Sequence, residues 1–426
     1  MSGTTSGLAA ARLVRGSLIS VAVGISAIPS SYLVTLSCAA YWSSAGRRRP
    51  SRTAPSEPST KFVVLIPAHD EAVLIAETVE RLMSAAYPAE LLEVHVIADH
   101  CTDETAAIAR RGGAIVHEHD DPEPRGKGAS LRWAIADLLD RDDISSDDVV
   151  VVVDADSGVD SGFFSALDSA FDDDVHVVQA YYTVRSPGAS TATSLRYAAL
   201  AARHFLRPLG RTALGSSSGL FGNGMGFRVG TLSTLEISDH LTEDLELGCQ
   251  LALGGVTIAF APDARLEAEM PDSIDGSTTQ HERWERGRIE LARRFVPQFL
   301  RPASGRGRPI GIGQRLDATL DLLTPPLSVA VALSTLTAAA TGIDRACRPT
   351  SACARARNRI AIASLGGHLL HVIAALVMVG APAQVYRSLL RAPRLVVWKV
   401  VLWSRMVIGG SEIGWTRTER NTSDRI

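Results

Sequence analysis

Two aspartates one residue apart, Asp154 and Asp156, close a run of five valines, Val149 to Val153, and stand just before Gly158. Side chains two apart in an extended chain point to the same side. Converging carboxylates repel unless a cation lies between them, and hard oxygen ligands suit magnesium or manganese. The alternative is a pair of ordinary turn aspartates. Asp99 ends another apolar run, so that either two acidic tips share one edge or Asp99 makes an Asx turn of its own. Lys127 lies between Gly126 and Gly128, in a flexible basic loop whose backbone can approach a phosphate while the ammonium supplies charge. Only Lys61, Lys127 and Lys399 are lysines among 43 basic residues, which makes a casual surface role for Lys127 the less comfortable reading.

Glu243 and Asp244 precede the amphipathic segment LELGCQLALGG. A helix dipole favours acids there and depresses their pKa, whereas the like charges Glu243 and Glu246 raise it. A carboxylate so placed can take a proton from a hydroxyl. Gln280, Arg283 and Trp284 are spaced i, i+3, i+4 and share one helix face, where a guanidinium fork can hold two phosphate oxygens and an indole offers a flat surface for a sugar ring. The same helix runs on through Arg286, Arg288, Arg293 and Arg294 among apolar residues, as a basic helix on an anionic membrane would, and these later arginines read as membrane-facing. His69, Asp70 and Glu71 follow Pro67, where a strand turns into a helix whose amide ends can receive anionic groups such as those of a nucleotide; a helix cap by Asp70 or Glu71 is the other reading.

The elements that must position these residues alternate along the chain. KFVVLIP, LEVHVIAD and AIVHEH read as strands, while AVLIAETVERLMSAA and DETAAIARRGG read as helices. Such alternation predicts a mostly parallel sheet covered by helices on both faces, with ligands gathering beyond the carboxyl ends of the strands. A strand buried on both faces is continuously apolar and meets solvent only where it leaves the sheet. That explains valines running into carboxylates.

The chain of 426 residues is too long for one compact domain alone, and its net charge of −3 argues against a nucleic-acid partner. Five scattered cysteines form no ladder of spacings; Cys347 and Cys353 are near enough in sequence to pair or to stay free. Three uncharged runs, Gly16 to Gly46, Leu322 to Ile343 and Ile360 to Tyr386, are long enough to cross about 30 Å of hydrocarbon. The first reads as a span rather than a cleaved secretory signal, because it is long and is followed by Arg47, Arg48 and Arg49. With Arg52 these predict a cytoplasmic side for the segment that follows, although the loop from Asp344 to Arg359, then outside, carries five arginines.

The stretches VVLIPAHDEAVLIAETVERLMSAAYP, VIADHCTDETAAIA, RGKGASLRWAI, VVVDADS, LTEDLELGCQLALGG and QHERWERGR occur in this order. Together they resemble the membrane-embedded inverting glycosyltransferases of family 2, the group of cellulose, hyaluronan and chitin synthases and of many bacterial exopolysaccharide enzymes. The resemblance spans about Phe62 to Arg294. It implies an α/β, Rossmann-like GT-A fold with transmembrane helices, a UDP-sugar donor, Mg2+ or Mn2+, and a polysaccharide or lipid acceptor. Carried onto this sequence, Asp99 would meet the uracil or ribose, Asp154 the nucleotide and Asp156, beside Asp154, the metal. Asp70, Glu71 and Lys127 would line the nucleotide-sugar site. Asp244, next to Glu243, would be the catalytic base, and Gln280, Arg283 and Trp284 would hold the diphosphate and shape the acceptor site.

The organisation expected is residues 1–60 as a transmembrane helix and linker, 61–300 as a cytoplasmic GT-A domain, and 301–426 as two transmembrane helices and an interfacial helix over RAPRLVVWKVVLWSRMVIGG. Three spans enclose no channel alone, so either partner subunits or further copies complete one, or the enzyme adds single sugars to a lipid, as ceramide glucosyltransferases of similar motif order do. A non-catalytic nucleotide-sugar scaffold is a third possibility, disfavoured because a binding module needs no base. GSSSGLFGNGMGFR reads either as a small-residue sheet segment along which an acceptor passes, with Asn223 offering hydrogen bonds, or as a bulged strand. GWTRTER resembles a gating segment, in which Trp415 and Arg417 would close over the nucleotide.

Overall fold

The computed structural model describes residues 2–46, 57–120, 126–237, 242–269, 278–301 and 310–408. Arg47, Arg48, Arg49, Arg52, Trp415 and Arg417 lie outside them. The chain opens with a long helix, α1 (Ser2–Gly46), and then alternates: β1 (Phe62–Ala68), α2 (Ile75–Met83), β2 (Leu92–Asp99), α3 (Thr105–Arg111), β3 (Ile115–His119), α4 (Lys127–Leu139) and β4 (Val149–Val152). There follow β5 (Ser157–Val159), α5 (Phe163–Asp168), β6 (Val177–Val184), α6 (Thr191–Leu200), a π-helical turn (Ala201–Leu206), α7 (Arg207–Ala213), β7 (Met225–Arg228), α8 (Val229–Leu232), α9 (Glu243–Leu253) and β8 (Ile258–Ala268). Helices α10 (Thr278–Leu300), α11 (Ile312–Leu323), α12 (Leu327–Cys347), α13 (Ala352–Met378), α14 (Ala383–Ser388) and α15 (Ala392–Ile408) complete it.

All eight strands join one sheet in the order β3-β2-β1-β4-β7-β6-β8-β5. The first four run parallel, as alternation predicts. The sheet as a whole is mixed, because β7 pairs antiparallel with both β4 and β6. Successive valines of β4 face opposite sides. Val149 and Val151 join Phe62, Val64 and Phe163 on one face, while Val150 and Val152 join Val63, Leu131 and Leu251 on the other. All four are buried, so the strand has no solvent face and needs no polar residue until it ends.

The β4/β7 register decides what happens at that end. Val152 lies opposite Met225, and the Gly224 amide donates to the Val152 carbonyl at 2.8 Å. Stepping on by two places Asn223 against Asp154. The glycine-rich stretch before β7 is therefore a turn rather than a strand. Gly224 has φ +68°, and a Cβ there would stand 2.3 Å from Leu266 Cδ2 and 3.0 Å from Ala180 Cβ, so a larger residue would be strained and would push Leu266 aside.

Among the described residues, three helical stretches are long and apolar enough to cross a membrane: Val14–Ala45, Leu327–Cys347 and Ala352–Met378. The second and third are displaced from the uncharged runs that predict them. Pro325 and Pro326 separate Leu322 and Leu323, which finish α11, from the span. The third helix begins eight residues before Ile360, capped by Ser351, and ends before Gly380 (φ +65°) and Pro382. The helices approach closely: a Cβ on Gly210 would lie 2.3 Å from the Leu36 carbonyl oxygen, and one on Gly367 would lie 2.3 Å from Ser30 Oγ. At the far end of the hairpin, buried Asp344 gathers Arg15 (3.5 Å), Arg348 (3.2 Å) and Arg357 (3.0 Å), so part of the arginine excess there is neutralised within the protein.

Candidate active site

Lys127 starts α4 instead of lying in a loop, and Gly126, at φ +115°, makes the turn into the helix. Its ammonium lies 2.5 Å from Asp154 Oδ1 and 2.5 Å from the Gly222 carbonyl. Gly222 (φ +78°) brings in the next acid, since a Cβ there would stand 3.4 Å from Asp244 Oδ2 and 3.8 Å from Lys127 Nζ. Parts of the chain distant in sequence thus converge beyond the carboxyl end of β4. Burial opposes the charge on Lys127, but Asp154, Glu243 and Asp244 outweigh it and raise its pKa.

Glu243 and Asp244 occupy the first turn of α9, after Thr242 at the N-cap. Burial, and then the charge of Asp244, push Glu243 up to about 7; burial likewise raises Asp244 against the pull of its backbone amide contact and Lys127. Glu246 is not the repelling neighbour that the sequence suggests. It is buried and its carboxylate takes the Arg294 guanidinium at 2.5 Å.

Asp154 and Asp156 leave the sheet in a turn, not in an extended strand, and the side chain that fixes this turn is Asn223. Fully buried, its Oδ1 accepts from the Asp154 amide at 3.1 Å and its Nδ2 donates to Ser157 Oγ at 2.8 Å. The Asn223 carbonyl accepts from Gln179 Nε2 at 2.8 Å. Asn223 is therefore a brace behind the two aspartates and offers nothing to a passing acceptor. Asp156 accepts from Ser157 Oγ at 3.3 Å, and the charges of Asp156 and Asp154 add to burial in raising Tyr182. Asp154, Glu243 and Asp244 are hard oxygen donors of the kind a divalent cation takes, with Lys127 as the cation that sits among them; Asp156 follows two residues after Asp154, and among the described residues these carboxylates are not drawn within 4.8 Å of one another as a preformed ligand group.

The end of β2 is organised separately. Asp99 Oδ1 accepts from His100 Nδ1 (2.8 Å) and His119 Nδ1 (2.9 Å); burial would raise its pKa, but these bonds and one with Ser130 hold it below the usual range. Asp70, at φ +52°, accepts from the amides of Thr102 (2.7 Å) and Asp103 (3.3 Å), and the Glu71 amide donates to Thr105 Oγ1 at 2.7 Å. Asp70 and Glu71 thus tie the β1 and β2 ends together and cap no helix, since α2 begins only at Ile75. Asp99 with His100 and His119, and Asp70 with Cys101 and Asp103, bring ligand atoms within 4.8 Å of one another, yet the hydrogen bonds within each group already account for them.

Gln280 and Arg283 fall on the first turns of α10, outside the residues whose side chains are described; Trp284 is 42% exposed. Of the arginines read as membrane-facing, Arg288 is buried and donates to the Asp321 and Thr324 carbonyls, the latter at 2.9 Å, while burial and then Arg203 lower its pKa to about 10. Lys399, in the helix expected to be interfacial, is buried 3.2 Å from Glu285.

Over residues 58–287 the sequence matches the family described as Glycosyltransferase like family 2. It is 26% identical over 251 residues to the probable glycosyltransferase YdaM of Bacillus subtilis (strain 168), covering 57% of this chain and 58% of that protein, so the chain spans less than two thirds of that relative's length. Among solved structures, it is similar to mannosyltransferase PcManGT from Pyrobaculum calidifontis in complex with GDP-Man and Mn2+ (17% identity, TM-score 0.47, 83% of this chain and 98% of that one). It is also similar to glucosyl-3-phosphoglycerate synthase from Mycobacterium tuberculosis in complex with Mn2+, UDP and glucosyl-3-phosphoglycerate (17% identity, TM-score 0.41, 62% and 94%). The parallel strands β3-β2-β1-β4, continued by antiparallel β7, are a GT-A arrangement. With more than half its length matched, the chain belongs to glycosyltransferase family 2.

Proposed function

We propose that the chain transfers a sugar with inversion from a UDP-sugar to a growing polysaccharide or a lipid-linked acceptor. The observation that carries this reading is the convergence of Lys127, Asp154, Glu243 and Asp244 at one rim of the sheet. Asp154 and Asp156 would hold Mg2+ or Mn2+, which when bound neutralises charge on the diphosphate. Lys127 is placed to receive phosphate oxygens once the nucleotide competes for it, and Asp99, already ionised by its imidazole donors, is an acceptor for an N–H or hydroxyl of the nucleoside. Gln280, Arg283 and Trp284 complete the donor and acceptor surfaces in this reading.

Inversion requires the acceptor hydroxyl to attack the anomeric carbon from the face opposite the diphosphate, with one base taking its proton. Asp244 is assigned that role. Its raised pKa, with Glu243 beside it, strengthens it as a base and offsets the helix dipole. Residues 1–60, 61–300 and 301–426 form the anchor, the catalytic domain and a second membrane unit, with the catalytic domain cytoplasmic. Single transfer to a lipid is the second reading, favoured by a membrane part of three candidate spans.

The test uses detergent-solubilised full-length protein, a panel of labelled UDP-sugars and Mn2+. Asp244→Asn is expected to abolish transfer while leaving UDP binding intact. A variant that still turned over would remove Asp244 from the role.

A further inference from the structure

Helix α7, which follows the π-helical turn, packs on the first span and pairs with α11, and α11 in turn takes up Arg288 of α10. The contact is direct: Gly210 abuts the Leu36 carbonyl, and Tyr32 Oη donates to Asp317 Oδ1 at 2.8 Å. Charges are packed into this layer, and nearly all are matched. Arg207 pairs with Asp321 at 3.0 Å, Arg211 with Asp317 at 2.8 Å and with Asp321 at 3.4 Å, and Lys399 with Glu285 at 3.2 Å. Arg288 is used by two backbone carbonyls.

Arg203 is the exception. It is half-buried within the π turn and makes no hydrogen bond or ion pair with any described residue. Burial and then the charge of Arg207 disfavour its ionised form, and the carboxylates whose fields reach it are Asp321, Glu285 and Asp244. The next residue fixes the turn against the active site, because the His204 ring stacks between Tyr182 (centroids 5.3 Å apart) and Phe221 (4.3 Å), and Phe221 adjoins the Gly222 carbonyl that Lys127 holds. None of its nitrogens is among the buried atoms without a partner, so the guanidinium stays reachable by an anion, and π turns concentrate at functional sites.

On the reading of the site given above, we propose that Arg203 binds a phosphoryl group carried by the acceptor, at the boundary between the catalytic rim and the membrane helices. Its planar fork suits two phosphate oxygens. The group arrives on a lipid headgroup or on a soluble phosphate ester, and both present the same chemistry to the arginine.

The experiment titrates full-length protein, in phosphatidylcholine nanodiscs, with dodecyl phosphate, glycerol phosphate and neutral dodecyl maltoside, and separately with UDP plus Mn2+. Wild type is expected to bind one or both phosphate probes and not the maltoside; dodecyl phosphate alone marks a lipid source, and glycerol phosphate as tightly marks a soluble one. Arg203→Gln should weaken phosphate binding by about tenfold to a hundredfold, the worth of a charged hydrogen bond, with UDP binding unchanged. Arg203→Lys keeps the charge without the fork and should retain part of the affinity, more than Arg203→Gln, which separates the site from a folding defect. Phosphate binding unchanged in Arg203→Gln, no phosphate binding by wild type, or loss of UDP affinity in Arg203→Gln would each overturn the assignment, the last by placing the arginine on the donor. UDP binding to wild type judges the donor reading independently.

Discussion

Asn223→Ala is the most informative single substitution away from the proposed chemistry. The asparagine touches no substrate in the reading above, yet its side-chain atoms hold both ends of the turn carrying Asp154 and Asp156. Alanine would leave the Asp154 amide without a partner and the Ser157 hydroxyl with only its 3.3 Å bond to Asp156, in a region closed to water, since Asn223 and Ser157 are both 0% exposed. The stranded amide costs about 1–3 kcal/mol and the lost hydrogen bond to Ser157 about 0.5–1.5 kcal/mol, so the expected loss is about 1.5–4.5 kcal/mol before any cavity term. At about 2–4 °C per kcal/mol for a domain of this size, melting should fall by roughly 3–18 °C, with the middle of that range expected. The two carboxylates would lose their fixed spacing, and Mn2+-dependent UDP binding should weaken by at least about tenfold, the equivalent of ~1.4 kcal/mol. The assay pairs a thermal melt in detergent with a calorimetric UDP titration at fixed Mn2+. Wild-type melting together with wild-type UDP affinity would refute the idea that Asn223 positions the aspartates.

Asp244, the assigned base, is raised by burial above the ordinary carboxylate range, with Glu243 raised to about 7 beside it, so transfer that needs Asp244 ionised should keep increasing with pH above that range. The sign for stability is opposite: a carboxyl whose folded pKa lies above its unfolded value contributes stability that is fully present below about 4.5 and is lost as pH rises through about 7. A pH–rate profile and melts check both, and a rate that levels off at the ordinary carboxylate pKa would contradict the first. Gly210→Ala drives a Cβ to within 2.3 Å of the Leu36 carbonyl, so α1 or α7 must shift; a loss of about 1–3 kcal/mol is expected, and an unchanged melt would show that the helices yield freely. Cys347 and Cys353 are exposed free thiols on the hairpin at the opposite end of the spans from the catalytic domain, so a membrane-impermeant maleimide should label them from outside intact cells. Labelling only after lysis would invert the proposed orientation.

Periodicity and strand ends carried much of the architecture. LEVHVIAD is β2 residue for residue, and the five-valine run does end at the rim where the acids meet. The antiparallel insertion of β7 was hidden, because it pairs residues some seventy positions apart and its glycine-rich approach has no period to read. Asn223 was visible as a residue but not as a brace, since that role exists only once β7 is in register with β4. Its flanking glycines, both at positive φ, were the one available signal of a tight crossing. Arg288 reads as membrane-facing for a related reason: amphipathic spacing distinguishes an apolar face from a charged one, but not a lipid surface from a buried layer whose acceptors come from the end of α11. The span boundaries moved because Pro325, Pro326 and Pro382 stop helices that hydropathy alone runs through.

The central claim is that Asp154 and Asp156 form, with a divalent cation, the seat of the donor diphosphate. Calorimetric titration of UDP into the full-length protein, with Mn2+ present, after chelation and after Mn2+ is restored, tests it most directly when wild type is run beside Asp156→Ala. Binding by wild type that vanishes with chelator, returns with Mn2+, and is lost in Asp156→Ala is the predicted result. UDP binding indifferent to both the metal and the substitution would contradict the account.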